Sequence, residues 1–226
     1  HLPNVLGPDG KKLAKRHGAT KVEQFRTEGY LPEALANYLS LIGWAPGTEE
    51  EVFSLQDLIA RWQIEHVHKA GGKWDRERLL WFNGVWIRRL DDDALLARLR
   101  PFLPGEWDEA IVRQTLPLIR ERLRTLAEAK DLIAFLFTDA LSREPAVLLP
   151  KKREPAATVE ALAKVTVVLR YLDPFRHDGI EAALRGVATE LEWKQGELNE
   201  AVRGAVTGTK VGPPLYESLE LLGRER

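Results

Sequence analysis

Four positive charges crowd into six positions near the start of this 226-residue sequence. Lys11, Lys12, Lys15 and Arg16 lie in DGKKLAKRHGAT, Asp9 to Thr20, between Gly10 and Gly18. A solvated charged turn is one reading of such a segment and needs no ligand. A mobile phosphate-binding loop is the other. Lys12 and Lys15 can bring two ammonium groups onto one polyphosphate, and glycines at either end let the loop close and reopen. Fixed cations are most effective where negative charge grows in a transition state, as in phosphoryl-transfer sites. Spacing alone leaves both readings open.

A second set of residues suits nucleic acid. Arginine's planar fork reads base edges bidentately, whereas lysine mostly holds phosphate. Bases splayed from a single strand expose those edges. LIRERLRTLAEAK, Leu118 to Lys130, carries Arg120, Arg122 and Arg124 two apart. On the helix expected here they cannot share one face, so at most two point at a common ligand. The alternative is a solvated helix with its arginines paired to Glu121 or Glu128. In LLWFNGVWIRRL, Leu79 to Leu90, Trp81, Phe82 and Trp86 at helical spacing predict core. Asn83-Gly84 would mark a hairpin in a β protein; here it predicts a break or weak spot between helices. Arg88 and Arg89 end that apolar segment and are candidates for phosphate contact. Asp91, Asp92 and Asp93 complement a helix dipole and need no metal ion.

The elements that must position these residues are helical nearly throughout. Pro32 to Ile42 places Leu35, Tyr38, Leu39 and Ile42 on one face, with Pro32 in the first turn and Gly43 as the stop. Ser54 with Asp57 resembles a capping box opening a helix to Trp62, and Asp75 and Asp91 are N-cap candidates for helices over 75–82 and 92–99. A long run over 108–137 is disturbed only at Pro117. Pro145 to Pro155 reads as a connection. Helices follow over 159–172, 179–190, 197–207 and 215–222, with Asp178 and Glu181 as a further capping box. Gly208 suits a left-handed helix end, and Pro213-Pro214 restarts the chain. Without alternating strands or a fixed-period repeat, the expected fold class is all-α, in packed helical bundles.

Composition narrows the function. A formal net charge of −1 gives no global basic field. The absence of cysteine excludes disulfides, thiolate metal sites and thiol catalysis, and fits a reducing compartment. No apolar run approaches the ~20 residues of a membrane helix, and no signal-peptide pattern appears. The sequence opens His1-Leu2-Pro3 and contains no methionine, the signature of a piece cut from a longer protein.

HLPNVLGPDGKKLAKRHGAT resembles the segment carrying the class I aminoacyl-tRNA synthetase signature loop, in the form typical of bacterial glutamyl-tRNA synthetases. Lys12, Leu13, Lys15, Arg16, His17 and Gly18 match that loop, and Ala14 replaces its usual serine. EGYLPEALANYLSLIGW, LLWFNGVWIRRL and AVRGAVTGTKVGPPLYESLELLG resemble later stretches of the same enzymes in the same order. The resemblance implies a C-terminal portion, beginning just upstream of the signature loop. Its expected parts are a signature-loop remnant over 1–20, a stem-contact helical region over 21–91 and an α-helical anticodon-binding domain over 92–226. That last domain divides further at about 142/143. The nucleotide-binding half is expected to be missing, since His66 and His68 in EHVHK lack the glycine and the strand-to-helix setting of the other ATP signature.

The resemblance also implies roles. The intact enzyme would be a glutamate–tRNA ligase, activating glutamate with ATP and Mg2+ and transferring it to the 3′ end of glutamate tRNA. Lys12 and Lys15 would stabilise the departing pyrophosphate, with Arg16 also at the ATP. Arg122 matches the position facing the third anticodon base, where arginine goes with preference for glutamate anticodons. Arg120 and Arg203 would contact the anticodon, and Leu215 would line its pocket. This part alone would bind tRNA without aminoacylating it, hold no cofactor, and belong to a monomeric, cytoplasmic enzyme with no membrane contact. The same region of a non-discriminating or glutamine-tRNA-charging paralogue is an alternative, as is a non-catalytic helical interaction module. Intact Lys12 and Lys15 argue against the module.

Overall fold

The computed structural model describes residues 3–18, 21–141 and 144–226. The chain is all-α, as expected. Its helices are α1 (Val22–Thr27), α2 (Pro32–Gly43), α3 (Leu55–Arg61), α4 (Arg76–Arg89), α5 (Asp92–Leu99), α6 (Glu109–Ile119), α7 (Ala129–Ile133), α8 (Pro145–Leu148), α9 (Pro155–Arg170), α10 (His177–Glu190), α11 (Gln195–Thr207) and α12 (Leu215–Leu222). Pairing outside helices among the described residues is confined to isolated bridges. No helix among them is long and apolar enough to cross a membrane.

The residues sort into two compact units. One comprises His1–Glu106 with Arg120–Lys130, the other Trp107–Ile119 with Asp131–Arg226. The three-part division expected from the sequence follows role rather than packing and stays a proposal. Its boundaries at 20 and at 142/143 fall on residues outside the described ones.

The first unit is built on α2 against α4. Phe25, Tyr30, Tyr38, Trp74, Leu79 and Phe82 form its main core, with Tyr38 and Trp74 edge to face at 5.2 Å. The buried face of α2 is Ala34, Asn37 and Tyr38, and Leu39, expected inside, is exposed. Asn37 decides that rotation. Its Nδ2 donates to Glu51 O at 2.8 Å, and its Oδ1 accepts from Phe53 N at 3.0 Å and from Trp86 Nε1 at 3.2 Å. Ser54 and Asp57 cap α3 reciprocally, and Asp75 and Asp91 cap α4 and α5 through the amides of Arg78 and Ala94.

Helix α4 runs unbroken through Asn83-Gly84, which corrects the expected break. A helix buried on that side tolerates both residues, because the asparagine is hydrogen-bonded and the glycine makes room for the Arg88 side chain. Of the expected aromatic core, Phe82 is fully buried, Trp86 partly buried, and Trp81 exposed.

In the second unit α10 packs against α9, α11 and α12, around Val165, Ile180, Leu184, Leu198, Val202 and Leu219. The segment expected as a connection contributes α8, whose backbone lies on α11 at Gly204; a Cβ there would sit 2.4 Å from Val147 O. Gly208 closes α11 at φ +70°, as expected. Helix α10 starts at His177 after Arg176. The expected Asp178–Glu181 box is absent, because Glu181 is engaged one turn on by Arg185 at 2.6 Å.

Candidate functional site

The lysine segment is a tight hairpin. Residues 5–7 pair with 11–13, Gly7 N donating to Lys11 O at 2.7 Å and Leu13 N to Val5 O at 2.9 Å. On its other edge, Leu6 N donates to Gly72 O at 2.9 Å and Leu6 O accepts from Trp74 N at 2.7 Å. Gly10 makes the turn at φ +73°. Asp9 then ties the hairpin to the following 3-10 turn, Lys15–His17. Its Oδ1 accepts from the Lys11 amide at 3.1 Å and its Oδ2 from Arg16 Nη2 at 3.1 Å. The Ala14 amide donates to His17 Nδ1 at 3.1 Å, so a neutral ring carries its hydrogen on Nε2, 3.2 Å from Asp9 Oδ1. The Lys11 amide first, then Arg16 and His17, hold the Asp9 carboxyl down to about 2. The His17 ring lies on Gly7, where a Cβ would sit 2.5 Å from it. Arg16 is therefore committed to Asp9. Lys12 and Lys15 are exposed, without an acidic partner among the described residues.

The three arginines lie on a turn, not on a helix. Pro117 offers no N–H to the helical ladder, and α6 ends two residues later, at Ile119. From there Leu123 and Thr125 are buried while Arg122 and Arg124 are exposed. That alternation has an extended period of two. For Arg120 and Arg124 the expected side-chain partners also change. Arg120 bonds to Asp92, and Arg124 Nη2 to Glu77 Oε2 at 2.5 Å. Glu128 Oε2 accepts the backbone amides of Arg124 and Thr125, at 2.7 and 3.1 Å. Arg122 stands exposed between the two anchored arginines.

Helix α4 supplies the bed for this turn. Arg88 crosses Gly84, its Nε 3.7 Å from Glu121 Oε2. Arg89 is exposed and lies 5.2 Å over the Trp86 ring. Asp91 is a cap and Asp92 an arginine partner, so two of the three aspartates are accounted for without an ion. No group of three or more His, Asp or Glu side chains is arranged to hold a metal among the described residues.

In the second unit Arg203 Nη1 donates to Pro213 O, bracing the turn between α11 and α12 from within. Leu215 is buried in the core of the unit. Val211 and Lys210 form the exposed rim of this turn, Lys210 pairing with Glu200 at 3.0 Å. A polar cluster beside it escaped the sequence reading. Tyr216 OH accepts from Asn199 Nδ2 at 2.7 Å and Gln195 Nε2 at 3.2 Å. Glutamine and asparagine four apart at the start of a helix were its signal. In the basic triplet 151–153, Lys151 and Lys152 are exposed, but Arg153 is spent on Glu197 at 2.6 Å and on the Trp193 ring at 4.4 Å.

The anticodon binding domain family matches residues 94–226, and the class I tRNA synthetase catalytic domain family for glutamate and glutamine enzymes matches residues 1–81. The glutamate–tRNA ligase of Dehalococcoides mccartyi strain BAV1 is 39% identical over 234 residues, covering 100% of this chain and 48% of that protein. That of Roseiflexus castenholzii is 40% identical over 236 residues, covering 100% and 46%. The chain thus spans about half the length of the curated relatives it matches. A crystal structure of a glutamate tRNA ligase from Elizabethkingia meningosepticum in complex with its amino acid superposes with a TM-score of 0.75 at 24% identity, over 100% of this chain and 48% of that one. A glutamate-tRNA synthetase from Elizabethkingia anophelis gives 0.74 at 24% over the same shares. These two show the fold. The matches agree with the resemblance carried by the lysine loop and the three later segments.

Proposed function

We infer that this chain, which belongs to the anticodon binding domain family, is the tRNA-binding part of a glutamate–tRNA ligase. The observation that carries the reading is its end-to-end alignment with enzymes of that name at 39–40% identity. The intact enzyme would activate glutamate with ATP and Mg2+ and transfer it to the 3′ end of glutamate tRNA. It would act as a monomer in the cytoplasm.

Within that reading Lys12 and Lys15 meet the pyrophosphate. Their exposure supports this, since no acidic side chain among the described residues competes for them. Arg16 reaches phosphate only by exchanging out of its pair with Asp9. Arg122 reads the third anticodon base. Support comes from the anchoring of the arginines on either side of it by Asp92 and Glu77, which gives the turn a fixed place. Arg120 in the first unit and Arg203 in the second are each spent largely on protein partners, so the part of each in anticodon contact is to shape the surface of its own turn. Leu215 supports the turn beside Arg203 from beneath. Arg88 and Arg89 hold tRNA backbone.

Binding to transcribed tRNAs tests this. The chain is expected to prefer glutamate tRNA over glutamine tRNA, and to lose the preference when the third anticodon base is changed or Arg122 becomes glutamine. Equal binding to both tRNAs favours a relaxed paralogue. No binding to either removes the reading.

A further inference from the structure

The fully buried side chain of Asn83 is the junction of three backbone segments. Its Oδ1 accepts from Leu31 N at 2.7 Å, and its Nδ2 donates to Arg124 O at 2.6 Å, with Gly29 O at 3.4 Å. The segments it joins also touch each other directly. Leu126 N donates to Gly29 O at 2.9 Å, and a Cβ on Gly29 would sit 2.5 Å from Ala127 N. A primary amide is the one neutral side-chain group of this size that offers an acceptor and two donors in one plane. With all of them buried, the distance from α4 to the backbone of the arginine turn is fixed to hydrogen-bond tolerance.

We propose that Asn83 is a positioning residue for specificity: by holding the carbonyl of Arg124 it sets where Arg122, two residues earlier, meets its ligand. The inference rests on the anticodon reading of Arg122 given above. It assigns a role in recognition to a side chain that touches no RNA. The exposed ion pairs help to anchor the turn but constrain its backbone less closely. The Arg124–Glu77 and Arg88–Glu121 pairs are solvent-facing, screened and held by flexible side chains. The Asn83 contact is desolvated and has one geometry.

The test compares binding of the full 226-residue chain to glutamate tRNA and to the same tRNA with its third anticodon base changed. The ratio of the two affinities is the readout. Asn83→Asp keeps the size of the side chain and the acceptor for Leu31 N, but sets an oxygen against Arg124 O. The ratio is expected to fall about tenfold, the order of one good bidentate base contact. Affinity for the altered tRNA and its salt slope, which report phosphate contact, are expected to stay. An unchanged ratio in a folded variant overturns the inference. So does an equal loss for both tRNAs, which marks a structural role only. Should Asn83→Asp fail to fold by circular dichroism, Glu128→Ala releases the Arg124 and Thr125 amides from the exposed side of the same turn. A fall in the ratio there supports placement of the turn as the determinant, and no change overturns it. Arg122→Gln separates the two readings. If it leaves the ratio intact, the anticodon reading fails and takes this inference with it. If it lowers the ratio while Asn83→Asp does not, this inference alone fails.

Discussion

At the scale of single residues, the lysine hairpin shows how one carboxylate can organise several cations. Asp9 gathers an amide, a guanidinium and an imidazole, leaving Lys12 and Lys15 outside the cluster. Its carboxyl titrates at about 2 against an ordinary 3.8. A depressed carboxylate stabilises the fold above its unfolded value, and that contribution is lost as pH falls through the folded one. Asp9→Asn is therefore expected to lower the melting temperature at neutral pH and to flatten its decline between about pH 4 and pH 2. An unaltered acid limb in circular-dichroism melts would remove Asp9 from the account. The lysines carry a different expectation. On the proposed function, Lys15→Ala in the intact enzyme should cut the rate of glutamate activation by at least ~10²-fold with a smaller change in KM, the loss seen when a charge-stabilising donor is removed from a transition state. A change confined to KM would assign Lys15 to ground-state ATP binding instead.

At the scale of elements, legibility followed the range of the interaction. Caps were readable because the donor and acceptor lie three residues apart: Ser54, Asp75 and Asp91 all close their helices as their types suggest. Gly208 was readable for the same reason. Asn83 was not, since its partners Leu31 and Arg124 lie 52 and 41 residues away. What looked like a helix break by local propensity is a helix interior held by tertiary hydrogen bonds. The arginine turn was misread because the apolar content of 108–137 masks the change of period after Ile119. Asn37 is a second buried asparagine with the same job on α2, knitting it to the loop at Glu51–Phe53 and to Trp86. Glycine gives a clean comparison at this scale. Gly29 combines φ +84° with backbone atoms at 2.5 Å, whereas Gly10 has φ +73° in open space. Gly10→Ala should cost about 1 kcal/mol of backbone strain. Gly29→Ala should cost on the order of 3 kcal/mol or more, a fall of roughly 6–12 °C in melting temperature. Equal shifts would mean that the approach of Gly29 to the arginine turn is not tight in solution.

At the scale of the whole molecule, 33 lysines and arginines face 34 acidic residues, so on the proposed function attraction to tRNA has to come from segregated charge. The cations are unevenly paired with acidic side chains. Arg16, Arg120, Arg124 and Arg153 are consumed by Asp9, Asp92, Glu77 and Glu197, while Lys12, Lys15, Lys151 and Lys152 stay exposed. Modest affinity with a marked salt dependence follows, each phosphate contact adding roughly 0.7–0.9 to the slope of log affinity against log salt. Binding that is indifferent to salt between low and moderate concentrations would rule out phosphate contact as the main attraction.

The allocation of the chain between its two units has a consequence for dissection. The path leaves the first unit at 106, returns at 120 and leaves again at 130, so neither unit is covalently continuous. A piece ending at 106 forfeits the Arg124 carbonyl and the Leu126 amide, stranding the polar ends of Asn83 and Gly29 O in an apolar interior. A piece beginning at 131 forfeits α6, one of the helices that α12 packs against. Truncation at any single peptide bond thus damages one half or the other, and trimming this sequence into its functional parts demands a splice rather than a cut.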